Sequence, residues 1–230
     1  MAVQQLERAM DANDFMSGLG LQTRQKLELE LSIRRYQNGN VVVAQHDATD
    51  DLYVVLEGNA QAKLYSSNGK VVSYREMTKG AIFGEMSAID QAPRSADVIA
   101  QGNLVVGKMT GPQYRAFIEA NPEFMWALFR YLSLRTREMT DRIFEFSTLL
   151  VRHRLIRELL RLARVENTDF RTGCLTPMPT HFELAARIST HREAITRELS
   201  DLSKRGLVRK TADGLIIPDI EALAALADTD

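Results

Sequence analysis

Hydrophobic and polar positions along this chain follow two different periods. Between residues 41 and 109 the apolar residues come in short β-branched runs: VVVAQ (41–45), LYVVL (52–56), AQAKLY (60–65), VVSYREM (71–77), ADVIA (96–100) and NLVVGKM (103–109). Asn38-Gly39, Glu57-Gly58-Asn59, Asn68-Gly69, Lys79-Gly80 and Gln101-Gly102-Asn103 punctuate them. Residues that tolerate positive φ between extended runs are turn signals. Short strands at this spacing predict an antiparallel sandwich or roll. Ahead of them, residues 22–35 (QTRQKLELELSIRR) read as a short amphipathic helix. After them the period becomes helical. Pro112 opens a short helix over residues 113–119, and Pro122 opens a long one that runs to about Val151 without glycine or internal proline.

The long helix carries Met125, Phe129, Leu132, Thr136, Met139, Ile143, Phe146 and Leu150 at alternating steps of four and three, with charged residues on both flanks. That is coiled-coil spacing and predicts a parallel homodimer. Residues 152–164 (RHRLIRELLRLAR) form a further amphipathic helix, and a loop with Asn167, Gly173, Pro177 and Pro179 follows. Thr180, with Glu183 three residues on, has the form of a capping box. A short helix over 182–188, a turn at Ser189-Thr190 and a second helix over 191–205, stopped by Gly206, have helix-turn-helix spacing. At about 100° per residue, Ile195, Leu199 and Leu202 form a buried stripe, whereas Glu193, Arg197, Ser200 and Lys204 fall between about 80° and 140° from Arg192. Leu207-Val208-Arg209-Lys210 and Leu215-Ile216-Ile217 flank Asp213-Gly214, a hairpin that makes the motif winged. Residues 220–227 close the chain as a short helix. The expected divisions are 1–121, 122–151 and 152–230, an α+β arrangement.

Charge changes the picture when read by segment. The formal net charge of −1 over 230 residues argues against a nucleic-acid binder. It is a sum of unlike parts, −2 over residues 1–151, +6 over 152–210 and −5 over 211–230. The basic block coincides with the helix-turn-helix. A single cysteine, Cys174, excludes disulfide frameworks and multi-cysteine metal sites. The N-terminus has no export-signal core and no run is long enough to span a membrane, so a cytoplasmic protein is expected.

One stretch interrupts the strands. Phe83-Gly84-Glu85-Met86 leads through Pro93 to Arg94-Ser95-Ala96. A glycine lets backbone amides approach an anion, Arg94 offers a bidentate fork for phosphate with the Ser95 hydroxyl beside it, and Glu85 accepts from a sugar hydroxyl. The competing reading is an ordinary loop with a weak Glu–Arg pair.

The order NG…LYVVLEG…NGK…KG…FGE…RSA, together with the winged motif, resembles the cyclic-AMP receptor protein/FNR family of bacterial transcription regulators over roughly residues 20–225. The resemblance implies a cyclic-nucleotide-binding β-roll, a dimerisation helix and a winged helix-turn-helix. It implies a ligand site of Gly84, Glu85, Met86, Arg94 and Ser95. The glutamate would take the ribose 2′-hydroxyl and the arginine the cyclic phosphate. The family's adenine-reading Thr-Ser pair falls on Met139-Thr140. Thr140 keeps a hydroxyl but Met139 cannot donate, so cyclic AMP is the expected effector and cyclic GMP its competitor. His46 stands where a turn glycine is expected. In the second helix Arg192-Glu193-x-x-x-Arg197 matches the family's base readers, which implies a TGTGA-like half-site in inverted repeat on double-stranded DNA. Thr180, His191, Ser200, Lys204 and Arg209 complete the expected DNA-contact set. Ser189 replaces a turn glycine. RNA polymerase is a further implied partner, with the loop 167–176 as its surface.

Two other functional classes fit the chain less well. An iron–sulfur sensor on the same scaffold needs several cysteines, and a haem sensor needs axial ligands for which His46 alone is poor. An enzyme needs a nucleophile–base pair, an HExxH or a Walker lysine, and none is present. His46, His153, His181 and His191 are scattered. Neither catalysis nor a metal is expected.

Overall fold

The computed structural model describes residues 14–65, 71–165 and 171–227. Residues 1–13, the Asn68-Gly69 turn, Asn167 with the start of the 167–176 loop, and the last three residues of the acidic end lie outside the described residues. The chain divides into two units, one reaching Arg137 and the other starting at Glu138. No helix among the described residues is long and apolar enough to cross a membrane.

The first unit is an antiparallel β-roll with helices at its ends. A 3-10 turn (Met16–Gly18) and helix α1 (Leu21–Glu30) precede β1 (Ser32–Tyr36) and β2 (Val41–Val43). The predicted helix over 22–35 therefore stops at Glu30, and its last third is an edge strand paired only with β6 (Asp97–Met109), Ile33 opposite Gly107. With one neighbour, β1 leaves four of its five residues exposed and shows no alternation to betray it.

The predicted runs 52–56 and 60–65 are one strand, β3 (Leu52–Tyr65), and 96–100 with 103–109 are likewise one, β6. Glu57-Gly58-Asn59 and Gln101-Gly102-Asn103 are corners inside these strands, where the β3–β6 register jumps from Glu57↔Val105 to Asn59↔Gln101. Gly58 has φ 77°, and a Cβ there would collide with the Asn103 carbonyl. Bulges of this kind bend a strand without ending it. β4 (Val71–Met77) pairs with β3, as does β5 (Ile82–Phe83). Helix α2 (Glu85–Asp90) follows β5 directly.

Two apolar clusters fill this unit. One lies inside the roll, around Tyr53, Val55, Met77, Phe83 and Val106. The other joins the roll to α3 (Gly111–Ala120) and α4 (Pro122–Thr148), with Phe124 at its centre and Phe15, Tyr114 and Phe117 edge-on to it at 5.2, 5.9 and 5.1 Å. α4 buries Phe124, Leu128 and Tyr131 in this cluster. The predicted seam is a different stripe. Met125, Leu132, Met139 and Phe146 are half-buried, while Phe129, Thr136 and Ile143 are exposed.

α4 ends at Thr148, short of the predicted Val151. Leu150 is extended (φ −64°, ψ 157°) and α5 (Val151–Leu162) starts after it. Ionic contacts hold the reversal: Arg157 and Arg161 fold back onto Glu145, and Arg154 lies over Phe146 at 5.8 Å.

In the second unit the predicted loop after α5 contains β7 (Arg164–Val165) and β8 (Gly173–Leu175). They join the wing strands β9 (Arg209–Lys210) and β10 (Leu215–Ile217) in the order β7-β8-β10-β9. Helices α6 (His181–Arg187), α7 (Arg192–Lys204) and α8 (Ile220–Ala225) close on one core. Leu155, Ile156 and Leu159 meet Leu184, Ile188, Ile195, Leu199 and Leu202 there, so the predicted stripe of α7 is buried as expected.

Candidate functional site

Two candidate sites occupy separate units. The first is the cassette after β5. Gly84 caps α2 in the left-handed region (φ 80°), where a side chain would be strained. A Cβ there would also stand 2.6 Å from both Arg94 Nη1 and the Asp51 carbonyl. The glycine thus makes room for the arginine. Arg94 is 2% exposed. Its Nε donates to Thr49 Oγ1 at 3.1 Å, Nη1 to the Gly84 carbonyl at 3.0 Å and Nη2 to the Asp51 carbonyl at 2.8 Å. Its backbone is tied to the 46–47 turn, accepting from His46 N and donating to Asp47 O, both at 2.9 Å. Its three acceptors among the described residues are neutral, and Arg94 pairs with no carboxylate there.

A buried charge without a counter-ion is costly, so this geometry suits an incoming anion. Tyr53 lies 5.9 Å beneath the guanidinium and stacks on Phe83. Burial, then Asp51 and Tyr36, push its hydroxyl up to about 12 against the opposing Arg94 and Arg34, so the ring stays neutral. Glu85 is buried beside the cassette, while Met86 and Ser95 are exposed. Arg115 secures α2 by donating to the Ala88 carbonyl at 2.8 Å while paired with Asp50 at 3.0 Å. Met139 is half-buried and Thr140 exposed, and both belong to the second unit.

The second site is the solvent face of α7. Arg192, Glu193, Arg197, Ser200 and Lys204 are all exposed, and Arg192, Glu193, Thr196, Arg197 and Ser200 frame a shallow recess. The i,i+4 pair Glu193–Arg197 is not formed. Arg197 instead reaches Glu198 at 3.2 Å, and Arg192 and Glu193 make no ion pair among the described residues. The helix is anchored from behind: Arg152 of α5 holds Glu198 at 3.1 Å and Asp201 at 2.6 Å. Arg154 donates to the Ile188 carbonyl in the turn at 2.9 Å. Thr180 caps α6 with the expected capping box, its Oγ1 accepting from Glu183 N at 3.2 Å. His191, at the N-cap of α7, and Arg209, on the wing, are exposed. Polar side chains held outward on a rigid helix are what groove readout requires.

Residues 33–121 match the family described as cyclic nucleotide-binding domain, and residues 153–226 match the Crp-like helix-turn-helix domain. A cyclic AMP receptor protein of Thermus thermophilus is 30% identical over 188 residues, 80% of this chain and 84% of its own length. The chain belongs to the Crp/FNR family of transcription regulators. A CRP-like cAMP-activated global transcriptional regulator of Mycobacterium tuberculosis is 27% identical over 194 residues, 84% of this chain and 86% of the relative. Among solved structures, the c-di-GMP-responsive global regulator of Xanthomonas campestris superposes with a TM-score of 0.73 at 18% identity, covering 86% of this chain and 99% of that one. That last likeness concerns the fold alone. Family members are transcription regulators rather than enzymes.

At the two turns where the resemblance implies glycine, the backbone keeps the left-handed conformation. His46 takes φ 70° in the turn that holds the Arg94 backbone, and Ser189 takes φ 53° between α6 and α7. Both keep the left-handed geometry of a glycine with a side chain in place, a strain of about 1–2 kcal/mol each.

Two residues at these sites escaped sequence reading. Thr196 stands on the reading face, its Oγ1 donating to the Arg192 carbonyl at 3.1 Å and held by His181 Nδ1 at 2.7 Å. Its spacing of four from Arg192 was a usable signal. Burial, then Lys210 and Arg192, hold the His181 ring below its ordinary value. The other is Arg75, whose single position on a strand carries no motif.

Proposed function

We propose that this chain is a cytoplasmic, homodimeric transcription regulator gated by a cyclic nucleotide. Cyclic AMP would be the effector and cyclic GMP its competitor, and the DNA target an inverted repeat of a TGTGA-like half-site. The observation that carries the reading is Arg94: a guanidinium, 2% exposed, whose acceptors are a hydroxyl and two carbonyls rather than a carboxylate. A singly charged cyclic phosphate supplies the missing negative charge and accepts from the donors that remain, with Ser95 beside them. Glu85 takes the sugar hydroxyl.

Self-pairing rests on α4, which leaves Phe129 and Ile143 50% and 67% exposed along the seam while its other stripe is packed in the first unit. Arg192 and Arg197 read guanine and Glu193 reads cytosine, with Ser200, Lys204, His191, Thr180 and Arg209 placed for phosphate contacts. RNA polymerase is the further partner. Ligand favours the DNA-binding dimer only by its difference in affinity between the two states.

The test is calorimetric titration with cyclic AMP and cyclic GMP, each followed by binding to a palindromic TGTGA-type duplex. Saturable binding of one nucleotide that raises duplex affinity is expected. Duplex affinity unmoved by either nucleotide overturns the gating.

A further inference from the structure

Behind the cassette, one arginine links the carboxylate assigned to the sugar with the long helix. Arg75, on β4, is 9% exposed. Its Nη2 donates to the Ile82 carbonyl at 2.7 Å and to the Tyr131 hydroxyl, and its Nη1 lies 3.9 Å from Glu85 Oε1. The guanidinium also lies over the Tyr131 ring, 5.5 Å from its centroid. Tyr131, on α4, is 4% exposed, donates to the same Ile82 carbonyl at 3.3 Å and packs edge-on to Phe15 at 5.5 Å.

The grip on Glu85 is incomplete. A separation of 3.9 Å exceeds hydrogen-bonding distance, so the carboxylate is steered by Arg75 without being saturated. Two polar groups in this layer are buried without a hydrogen-bond partner among the described residues, Arg75 Nε and the Tyr114 hydroxyl. Buried polar groups are nearly always satisfied, so these two leave hydrogen-bonding capacity in the layer around the half-held carboxylate.

We propose that Arg75 is a positioning residue that couples hydroxyl recognition at Glu85 to the long helix through Tyr131. It rests on the reading of Glu85 as the acceptor for the ligand's 2′-hydroxyl. A hydroxyl donating to Glu85 weakens the carboxylate's pull on Arg75 and changes how the guanidinium is shared with Tyr131. Phe129 and Leu132, two and one positions from Tyr131, lie on the seam assigned to self-pairing, so the shift is delivered where the dimer forms. Linkage is reciprocal: if the ligand alters the Arg75–Tyr131 contact, loss of that contact alters ligand affinity by the same factor.

The experiment uses Tyr131→Phe, which keeps the ring against Phe15 and removes only the hydroxyl. Calorimetry compares cyclic AMP with 2′-deoxy cyclic AMP on the wild type and the variant, with thermal unfolding as the check on folding. The variant is expected to change cyclic AMP affinity by about five-fold or more and to leave 2′-deoxy cyclic AMP affinity unchanged. Arg75→Lys, which keeps a charge but cannot bridge, should behave in the same way. Equal affinities for wild type and Tyr131→Phe, or equal changes for both ligands, overturn the coupling while the cassette reading stands. A wild type that binds neither nucleotide removes both.

Discussion

Arg94 in the first unit and Glu158 in the second are both sealed from solvent, at 2% and 1% exposure, yet their surroundings are opposite. Glu158 is surrounded by cations: Arg142 at 2.7 Å, Arg161 at 3.2 Å and Arg187 at 3.5 Å. Burial by itself would raise its carboxyl, but Arg142, Arg187 and Arg161 outweigh that and hold it below the ordinary value. Arg94 has no such company and is held by neutral oxygens. A buried charge that is fully compensated ties helices together. One left uncompensated is poised for something not part of the chain. Here the saturated charge joins α4, α5 and α6, and the unsaturated one is part of the cassette.

Four substitutions test that contrast. The largest loss of stability is expected for Glu158→Gln, which removes the buried charge shared by three half-buried arginines and should cost about 3–5 kcal/mol in chemical denaturation. The carboxyl titrates below its ordinary value of 4.5 when folded, so its contribution is complete above that pH and fades as pH falls through the folded value. The variant should lose that acid-dependent slope. Arg94→Leu should do the reverse, losing less stability than Glu158→Gln but about 2–5 kcal/mol of nucleotide affinity by calorimetry. If it proves the more damaging to folding, Arg94 is structural and the contrast fails.

Arg192→Ala, at an exposed arginine with no ion pair among the described residues, should leave stability and nucleotide binding alone. It should remove about 1–3 kcal/mol of discrimination at one base pair, read by competition between duplexes. An unchanged preference would deny it a reading role. The smallest effect is expected for Ser189→Gly, where relief of left-handed strain is partly offset by chain entropy, for a gain of under about 1 kcal/mol in thermal unfolding.

Legibility from the sequence was uneven for identifiable reasons. Ile195, Leu199 and Leu202 announced the buried side of α7 because helical period and burial coincide, and Thr180 announced the cap of α6 because that interaction spans only three residues. The Gly58 and Gly102 corners were misread as turns. A glycine between apolar runs looks the same whether the chain reverses or merely bends, and only the β3–β6 pairing distinguishes the two. The end of α4 at Thr148 had no proline or glycine to mark it. It is made by Glu145 drawing Arg157 and Arg161 back across the break.

Local chemistry singled out the residues proposed for function: the FGE…RSA cassette, Arg192, Glu193 and Arg197 on the reading helix, and the segregation of charge are all visible in one dimension. What folding added is the electrostatic state of those residues. Whether an arginine is a paired strut or an open receptor depends on which carboxylates lie within a few ångströms. The groups that decide it come from segments dozens of residues away, as Arg94 with the Thr49 hydroxyl and the Asp51 carbonyl, and Arg75 with the Tyr131 hydroxyl, demonstrate.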